Sequence, residues 1–504
     1  MSVGAGLLVA GTTSDAGKST VTAGLCRWLA RRGVRVAPFK SQNMSNNSMV
    51  CADGAEIGRA QWLQAVAAGV EPESAMNPVL LKPGGDRRSH VVLRGRPWGE
   101  LGAGEWANGR RALAESAYQA LAELRERFDV VLCEGAGSPA EINLRSGDYV
   151  NMGLARQAGL PVLLVGDIDR GGMLAAMAGT LALLDRADQR LLAGFVVNKF
   201  RGDPELLRPG LSTLEELTGR PVLGVLPWLP DAWLDSEDSL ALGGWSEDAA
   251  GTLRVAAARL PRVSNATDLD PLAAEPGVSV TVTADPDVIA AADLAVLPGT
   301  RSTVTDLAWL REQGIDRAIR ARAAEGRPVL GICGGYQMLA ETIDDEVESG
   351  AGAVPGLGLL PTAVRFTREK VLGRPSGRWR GHEVTGYEIH HGRVRLAGEA
   401  EPFLDGYRSG AVWATMWHGA FEHDGFRRAW LAEVATQAGV RWEPGDAPGF
   451  AALRESMVDR LADAIEDHLD GAALLELIER GAGPDLPWVR LSTGNNGDSS
   501  GVSG

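Results

Sequence analysis

The stretch "PVLGICGGYQML" (328–339) puts one thiol where a thiol can act as a nucleophile. An apolar run leads into Gly331-Ile332-Cys333-Gly334-Gly335, and a helical pattern follows. A Gly-x-Cys-x-Gly turn needs residues without Cβ around the nucleophile, and it pushes the side chain out at the edge of a sheet. The N–H of Gly334 is then placed to donate to a developing oxyanion, and "LPGT" (297–300), on the neighbouring predicted strand, offers a second N–H near Gly299. A thiol attacks as its thiolate, so it needs a base. Of the seven histidines, His418 in "TMWHGAF" (415–421) ends a short apolar run late in the chain and is the first candidate; His390 and His391 in "YEIHHG" are its rivals. His90, His382, His423 and His468 stand in polar surroundings and read as surface residues. Cys26, Cys51 and Cys133 read as helix-face, loop and core-strand residues.

A second chemistry starts near the N-terminus. "GTTSDAGKST" (11–20) follows the apolar run "AGLLVAG" (5–11) and precedes a helical pattern. A glycine-containing turn between strand and helix points backbone N–H groups inward, and the helix N-terminus adds partial positive charge, which together suit a phosphate. Lys18 can reach the β- and γ-phosphates of a nucleotide and the Ser19 hydroxyl can ligate Mg²⁺. Thr12, Thr13, Asp15, Ala16, Gly17, Lys18, Ser19 and Thr20 make up the predicted ATP-binding loop. The usual spacing wants glycine at position 12, where Thr12 stands, and Gly11 comes one residue early.

Alternating elements must position these groups. Over the first ~245 residues, "VRVAPFK" (34–40), "FDVVLCEGAG" (128–137), "LPVLLVGD" (160–167) and "LAGFVVNKF" (192–200) are near-continuous apolar runs that turn polar at their C-terminal ends. Strands buried on both faces have this pattern, which implies a parallel sheet covered by helices. Ligands in such sheets sit beyond the carboxyl ends of the strands, where Lys40, Glu134, Asp167 and Asn198 fall. "PWLPDAWLDSEDSLALGGWSEDAAG" (227–251) reads as a boundary, and a second α/β series follows: "LRVAAARL" (253–260), "VSVTVTA" (278–284), "ADLAVLPGT" (292–300) and "RPVLGICGG" (327–335). The predicted domains are 1–245 and 252–485, the second ending in helices at about 450–480, with a disordered tail at 490–504.

Several motifs resemble known families. The displaced glycine is similar to the variant loop of dethiobiotin synthetase and the cobyrinate amide synthases, Gly-Thr-x-[Ser/Thr]-x-x-Gly-Lys-[Ser/Thr]. That resemblance implies Mg²⁺ ligation by Glu134 of "CEGAGS" and by Asp53 of "ADGAEIGRAQ", and adenine reading by Asn198 of "VVNKF". By residue type alone, Glu134 could instead cap the next helix, Asp53 could be a solvated turn and Asn198 a strand-end polar group. Asp167, Asp169 and Arg170 read equally as ligand-binding or as a loop salt bridge. The elbow resembles that of class I glutamine amidotransferases, whose late histidine is usually followed two residues on by glutamate. Ala420 stands there, which matches the cobyrinate-type subgroup and leaves open what orients His418.

Across nearly its whole length the chain resembles the cobyric acid synthase branch of the cobyrinate-type glutamine-dependent amidoligases, on "FKSQNMSNNS" (39–48), "DGAEIGRAQ" (53–61), "MNPVLLKP" (76–83), "DIDRGG" (167–172), "GICGGYQML" and "GYEIHHG" (386–392). The resemblance implies an α/β fold in two domains, an N-terminal P-loop-type parallel sheet like that of dethiobiotin synthetase and a C-terminal class I glutamine amidotransferase-like domain. It implies ATP- and Mg²⁺-dependent amidation of the b, d, e and g carboxylates of a corrinoid, adenosylcobyrinic acid a,c-diamide, through acyl phosphates. Glutamine would supply ammonia at Cys333, and Lys40, Gln42 and Asn43 would lie near the phosphate or the substrate carboxylate, although a plain polar loop would read the same. Two other readings share parts of the pattern: a cobyrinic acid a,c-diamide synthase, and a partner-binding ATPase of the septum-positioning type, which would have no use for Cys333.

Bulk properties bound these readings. The 504 residues exceed one core, and a net charge of −15, from 50 basic and 65 acidic side chains, argues against non-specific binding to nucleic acid or an anionic membrane. Four widely spaced cysteines without a Cys-x-x-Cys pair suggest a reducing cytoplasm. No secretory leader or membrane-spanning run is expected.

Overall fold

The computed structural model describes residues 4–83, 88–102, 106–230, 232 and 252–490. Most of the predicted boundary segment, and the predicted tail from 491 on, lie outside the described residues. Six strands form a wholly parallel sheet in the order Val222–Pro227, Leu192–Phe200, Val162–Asp167, Ala5–Gly11, Val130–Glu134, Val36–Phe39. All seven residues of Ala5–Gly11 are buried, with Leu7 and Val9 in one apolar cluster and Leu8 and Ala10 in another. The uninterrupted apolar run is thus explained by helices on both faces of the sheet.

The second sheet has seven strands in the order Val278–Thr283, Leu253–Ala258, Leu294–Leu297, Val329–Ile332, Val412–Thr415, Gly406–Ser409, Glu401–Phe403. Its first five strands run parallel and the last two close the edge antiparallel. Two further four-stranded sheets escaped the sequence reading. One joins Gln42–Met44, Val79–Pro83, Arg88–Leu93 and Arg96–Gly102; the other joins Gly352–Pro355, Thr342–Asp345, Thr362–Gly373 and Glu388–Leu396. Their strands are mostly half-exposed and polar, so they lack the apolar runs that announced the central strands.

The helices Phe450–His468 and Gly471–Arg480 pack in a different place from the one predicted. By their place along the chain they are expected on the second α/β series; in the structure their apolar faces cover the first sheet. Val458, Leu461, Ile465, Leu474 and Ile478 share a core with Val21, Leu25, Trp28 and Val9. The helices Lys18–Arg31 and Phe450–His468 approach closely at Gly24, where a Cβ would lie 3.0 Å from Leu461 O and from Ile465 Cγ1. Outside that seam Arg31 pairs with Asp459 at 2.8 Å and Asp463 at 2.6 Å, and Arg32 pairs with Glu466. Helical periodicity shows that a face is apolar, not which sheet it will meet.

Candidate active sites

The elbow forms as the sequence requires. Cys333 follows the strand Val329–Ile332 and opens the helix Gly334–Leu339, with φ 49° and ψ −106°. A positive φ in a residue with a Cβ is strained backbone, and it turns the thiol out of the sheet. The glycines have measurable reasons. A Cβ on Gly335 would sit 1.9 Å from Leu297 O, and one on Gly331 would sit 2.5 Å from Leu339 Cδ1. One on Gly334 would meet Thr300 Cγ2 at 2.6 Å and Thr300 N at 2.9 Å, so Gly334 lies against the 297–300 turn, as expected. Gly299 lies beside the histidine, its Cβ position 2.9 Å from His418 Cε1.

His418 is fully buried just past the strand Val412–Thr415, next to the strand that bears Cys333. What orients it is Asp268, 150 residues earlier in the chain: Asp268 Oδ2 lies 2.6 Å from His418 Nδ1, and Oδ1 accepts from Gly419 N at 2.8 Å. Tyr387 stacks on the ring at a centroid distance of 5.3 Å. Nε2 makes no hydrogen bond among the described residues, and the Cys333 thiol acts on the ring electrostatically. Burial opposes the imidazolium, but the Asp268 carboxylate and the Cys333 thiolate outweigh it and push the His418 pKa up to about 10. The arrangement favours the charged form of the His418 ring beside Cys333.

His390 and His391 are not the partners of such a relay. His390 Nδ1 bonds Gly392 O at 2.8 Å and His391 Nδ1 bonds Thr367 O at 3.0 Å. Burial, with Lys370 adding to it, pushes the His391 pKa down to about 4. Both line a cavity that also holds Cys333, Gln337, Arg301 and Glu348, and whose wall includes Asn46 and Lys82 from the first half of the chain.

The loop at 11–20 caps the central strand of the first sheet. Gly17 has φ 94°, and Asn198 Nδ2 donates to Ala16 O at 2.9 Å, so the predicted adenine reader also braces the loop. Gly11 has a steric reason: a Cβ there would lie 3.0 Å from Lys18 Cγ, Lys18 Cδ and Thr13 O. The close approach of the lysine stem to the strand end therefore demands glycine at 11, while Thr12 continues the strand with its N–H on Val165 O at 2.9 Å. Lys18 Nζ donates to Thr13 O and Ser14 O at 2.9 and 2.8 Å. Asp15 faces Arg170 at 2.6 Å, and Lys199 bridges Asp15 O and Asp167 Oδ2 at 2.7 and 2.8 Å. Asp167 and Arg170 are thus loop-bracing groups.

Glu134 is the hub of this site. It is fully buried; Oε1 accepts from Ser19 Oγ and Lys40 Nζ, both at 2.8 Å, and Oε2 from Gln64 Nε2 at 2.6 Å. Burial would raise its pKa, but Lys40 and these hydrogen bonds hold it below the usual carboxylate range. Gln64 was missed, being an internal polar residue of the helix Arg59–Ala68 with no motif of its own. Asn43 Nδ2 donates to Gln61 Oε1 at 3.0 Å, and Tyr149 donates to Gln42. Asp53 does not join the cluster. It sits at the exposed tip of the hairpin joining Ser48–Val50 and Glu56–Gly58, its Oδ1 accepting from Ala55 N at 2.9 Å. A short hairpin turn satisfies its carboxylate locally, so the second predicted metal ligand is not brought to Glu134. Among the described residues no group of three or more His, Cys, Asp or Glu could hold a metal ion. The adjacent Ser19 hydroxyl and Glu134 carboxylate do fit Mg²⁺, which commonly takes one or two protein oxygens and completes its shell with phosphate and water.

Fold and sites together define a glutamine-dependent amidoligase, a nucleotide-binding half joined to an amidotransferase half. The CobQ/CobB/MinD/ParA nucleotide binding domain family matches residues 7–240, and the CobB/CobQ-like glutamine amidotransferase domain family matches residues 254–426. The cobyric acid synthase of Cutibacterium acnes is 60% identical over 94% of this chain and 99% of its own. That of Mycolicibacterium gilvum is 59% identical over 96% and 99%, and that of Streptomyces avermitilis 60% identical over 96% and 98%. The chain belongs to the cobyric acid synthase family. No helix among the described residues is long and apolar enough to cross a membrane.

Proposed function

We propose that this chain uses ATP and glutamine to convert the b, d, e and g carboxylates of adenosylcobyrinic acid a,c-diamide to amides. The observation that carries this reading is the buried relay Cys333–His418–Asp268, whose Cys333 lines a cavity shared with Asn46 and Lys82 of the nucleotide-binding half. We assign residues 1–245 to carboxylate activation and 252–485 to glutamine hydrolysis, the helices after 450 serving as a cover for the first sheet.

Cys333 Sγ adds to the glutamine amide carbon, with the oxyanion held by N–H groups at Gly334 and near Gly299. His418, oriented by Asp268, gives its Nε2 proton to the departing ammonia and then takes one from the water that releases glutamate. Ammonia attacks a corrinoid carboxylate that has accepted the γ-phosphoryl group of ATP, and phosphate leaves. Lys18 and the loop N–H groups hold the phosphates, and Lys40 faces the charge that develops during transfer. Asn198 would lie by the adenine. Ser19 and Glu134 would hold Mg²⁺, which when bound neutralises phosphate charge. Gln42 and Asn43 would lie near the transferring phosphate or the substrate carboxylate.

The test is mass spectrometry of adenosylcobyrinic acid a,c-diamide after incubation with the protein, Mg-ATP and either glutamine or ammonia. Successive replacements of OH by NH₂ up to the tetra-amidated product are expected. Cys333→Ala should lose the glutamine reaction and keep the ammonia reaction. Amidation of cobyrinic acid at a and c instead would transfer the assignment to the a,c-diamide synthase reaction.

A further inference from the structure

Two asparagines from opposite halves of the chain meet directly behind the glutaminase relay. Asn265 has φ 51° and ψ 43°, a left-handed conformation that asparagine tolerates better than most residues. Its carbonyl accepts from Asp268 N at 3.1 Å, which sets the turn Ala266–Leu269 carrying the carboxylate that orients His418. Its side chain reaches the other way, Oδ1 accepting from Ser48 N at 2.9 Å. Asn47 Oδ1 answers from the nucleotide-binding half, accepting from Ala266 N at 3.3 Å. Asn47, Ser48, Asn265 and Asp268 are all buried. One residue before Asn265, Ser264 N donates to Gly299 O at 2.9 Å, so the same segment also touches the oxyanion side.

The segment 45–48 is held firmly within its own half. Ser45 N donates to Leu81 O at 3.1 Å and Arg59 N to Asn47 O at 3.1 Å. Ser48 Oγ donates to Glu56 Oε1 and accepts from Lys82 Nζ, both at 2.8 Å. Upstream it continues into Asn43, Gln42 and Lys40, the last of these bonded to Glu134. One stretch of chain, 40–48, thus carries the Lys40 contact to Glu134 at one end and the hydrogen bonds to the 265–266 backbone and side chain at the other.

We propose that Asn47 and Asn265 are positioning residues for the glutaminase: their side-chain oxygens, each accepting from a backbone N–H of the opposite half, fix the 265–268 turn, and through Asp268 the ring of His418, to the 40–48 segment of the activating half. Relay geometry then depends on how that segment is held, and ammonia is released efficiently only when the two halves are in register. This rests on the function proposed above.

The test uses the full chain with Asn47→Ala and Asn265→Ala, each checked for an unchanged melting transition, and Asn265→Asp, which keeps the acceptor oxygen and a tolerance for the left-handed turn. Three rates are read: glutamate release from glutamine, glutamine-dependent amidation and ammonia-dependent amidation. Misplacing a general base costs up to about 100-fold. We expect Asn47→Ala to lower kcat for glutamate release about 10- to 100-fold with KM for glutamine held within about twofold, and ammonia-dependent amidation unchanged. Asn265→Ala should match it, and Asn265→Asp should recover most of the loss. The upper limb of the glutaminase pH profile should move to lower pH in both alanine variants. Wild-type glutamate release in Asn47→Ala, or an equal fall in glutamine- and ammonia-dependent rates, would overturn the proposal. Absence of ammonia-dependent amidation by the wild-type chain would instead sink the functional reading, while glutamate release would still decide the positioning role.

Discussion

His418 shows how one contact sets a residue's chemistry. In isolation a fully buried imidazole favours its neutral form; here Asp268 and the Cys333 thiolate reverse that, raising the pKa from 6.5 to about 10. The sign follows directly. The stabilisation of the charged ring is complete below pH 6.5 and is lost as pH rises through about 10. Glutamate release should therefore keep a protonated His418 across neutral pH and fail on the alkaline side as that proton is lost. Asp268→Asn removes a carboxylate 2.6 Å from Nδ1, so kcat should fall by about 100-fold or more. In that variant the alkaline limb should shift to lower pH. An unchanged limb in a pH series of glutamate release would show that Asp268 does not set the ring's charge.

At the scale of elements, two close approaches are the most sensitive points. The elbow helix can follow its strand only because residue 335 lacks a Cβ: one there would fall 1.9 Å from Leu297 O. Gly335→Ala should destabilise the second half by ~1–3 kcal/mol and abolish glutamate release, since the strand or the nucleophile must move. Calorimetry together with a glutaminase assay reads both. On the other half, Ile465 lies in the seam between Lys18–Arg31 and Phe450–His468, with 2% exposure. Ile465→Ala should cost about 2–5 kcal/mol. Because that seam covers the first sheet, the loss should appear in the transition protected by Mg-ATP, and a loss confined to the other transition would contradict the packing.

Over the whole molecule, the two halves are joined by buried charge as well as by the asparagine pair. Glu56 is fully buried in the nucleotide-binding half, ion-paired with Lys82 of its own half and, at 2.6 Å, with Lys370 of the other. Arg59 meets Glu422 across the same seam at 2.8 Å, and Arg454 meets Glu422 at 2.9 Å. Burial would raise the Glu56 pKa, but Lys370 and Lys82 hold it far below the usual 4.5. Its contribution is therefore present above pH 4.5 and is lost as pH falls through the depressed value. Glu56→Gln leaves the buried Lys82 and the partly buried Lys370 ammonium groups without their anion and should cost about 3–5 kcal/mol. It should also weaken the coupling of glutamine hydrolysis to amidation, seen as more glutamate formed per amide. A variant with wild-type melting and wild-type stoichiometry would show that these charges do not hold the halves together.

By itself the amino-acid sequence determined what depends on neighbours along the chain. Strands buried on both faces are continuous apolar runs, so Ala5–Gly11, Val130–Glu134, Val162–Asp167 and Leu192–Phe200 were legible, as were the Gly-Lys turn and the Cys333 elbow, whose glycines answer to local clashes. What lies far apart in sequence was decided only by the tertiary structure. Asp268 stands 150 residues from the ring it orients, and Gln64 stands 70 from Glu134, with no fixed spacing to signal either. Asp53 had the right residue type but lies on a hairpin that satisfies its carboxylate within the turn. The last helices displayed an apolar face that would suit either half, and only packing against Gly24 and its neighbours selected the first sheet. A side chain's type and its local turn are set by adjacent residues; its partner is set by where the folded chain brings the rest.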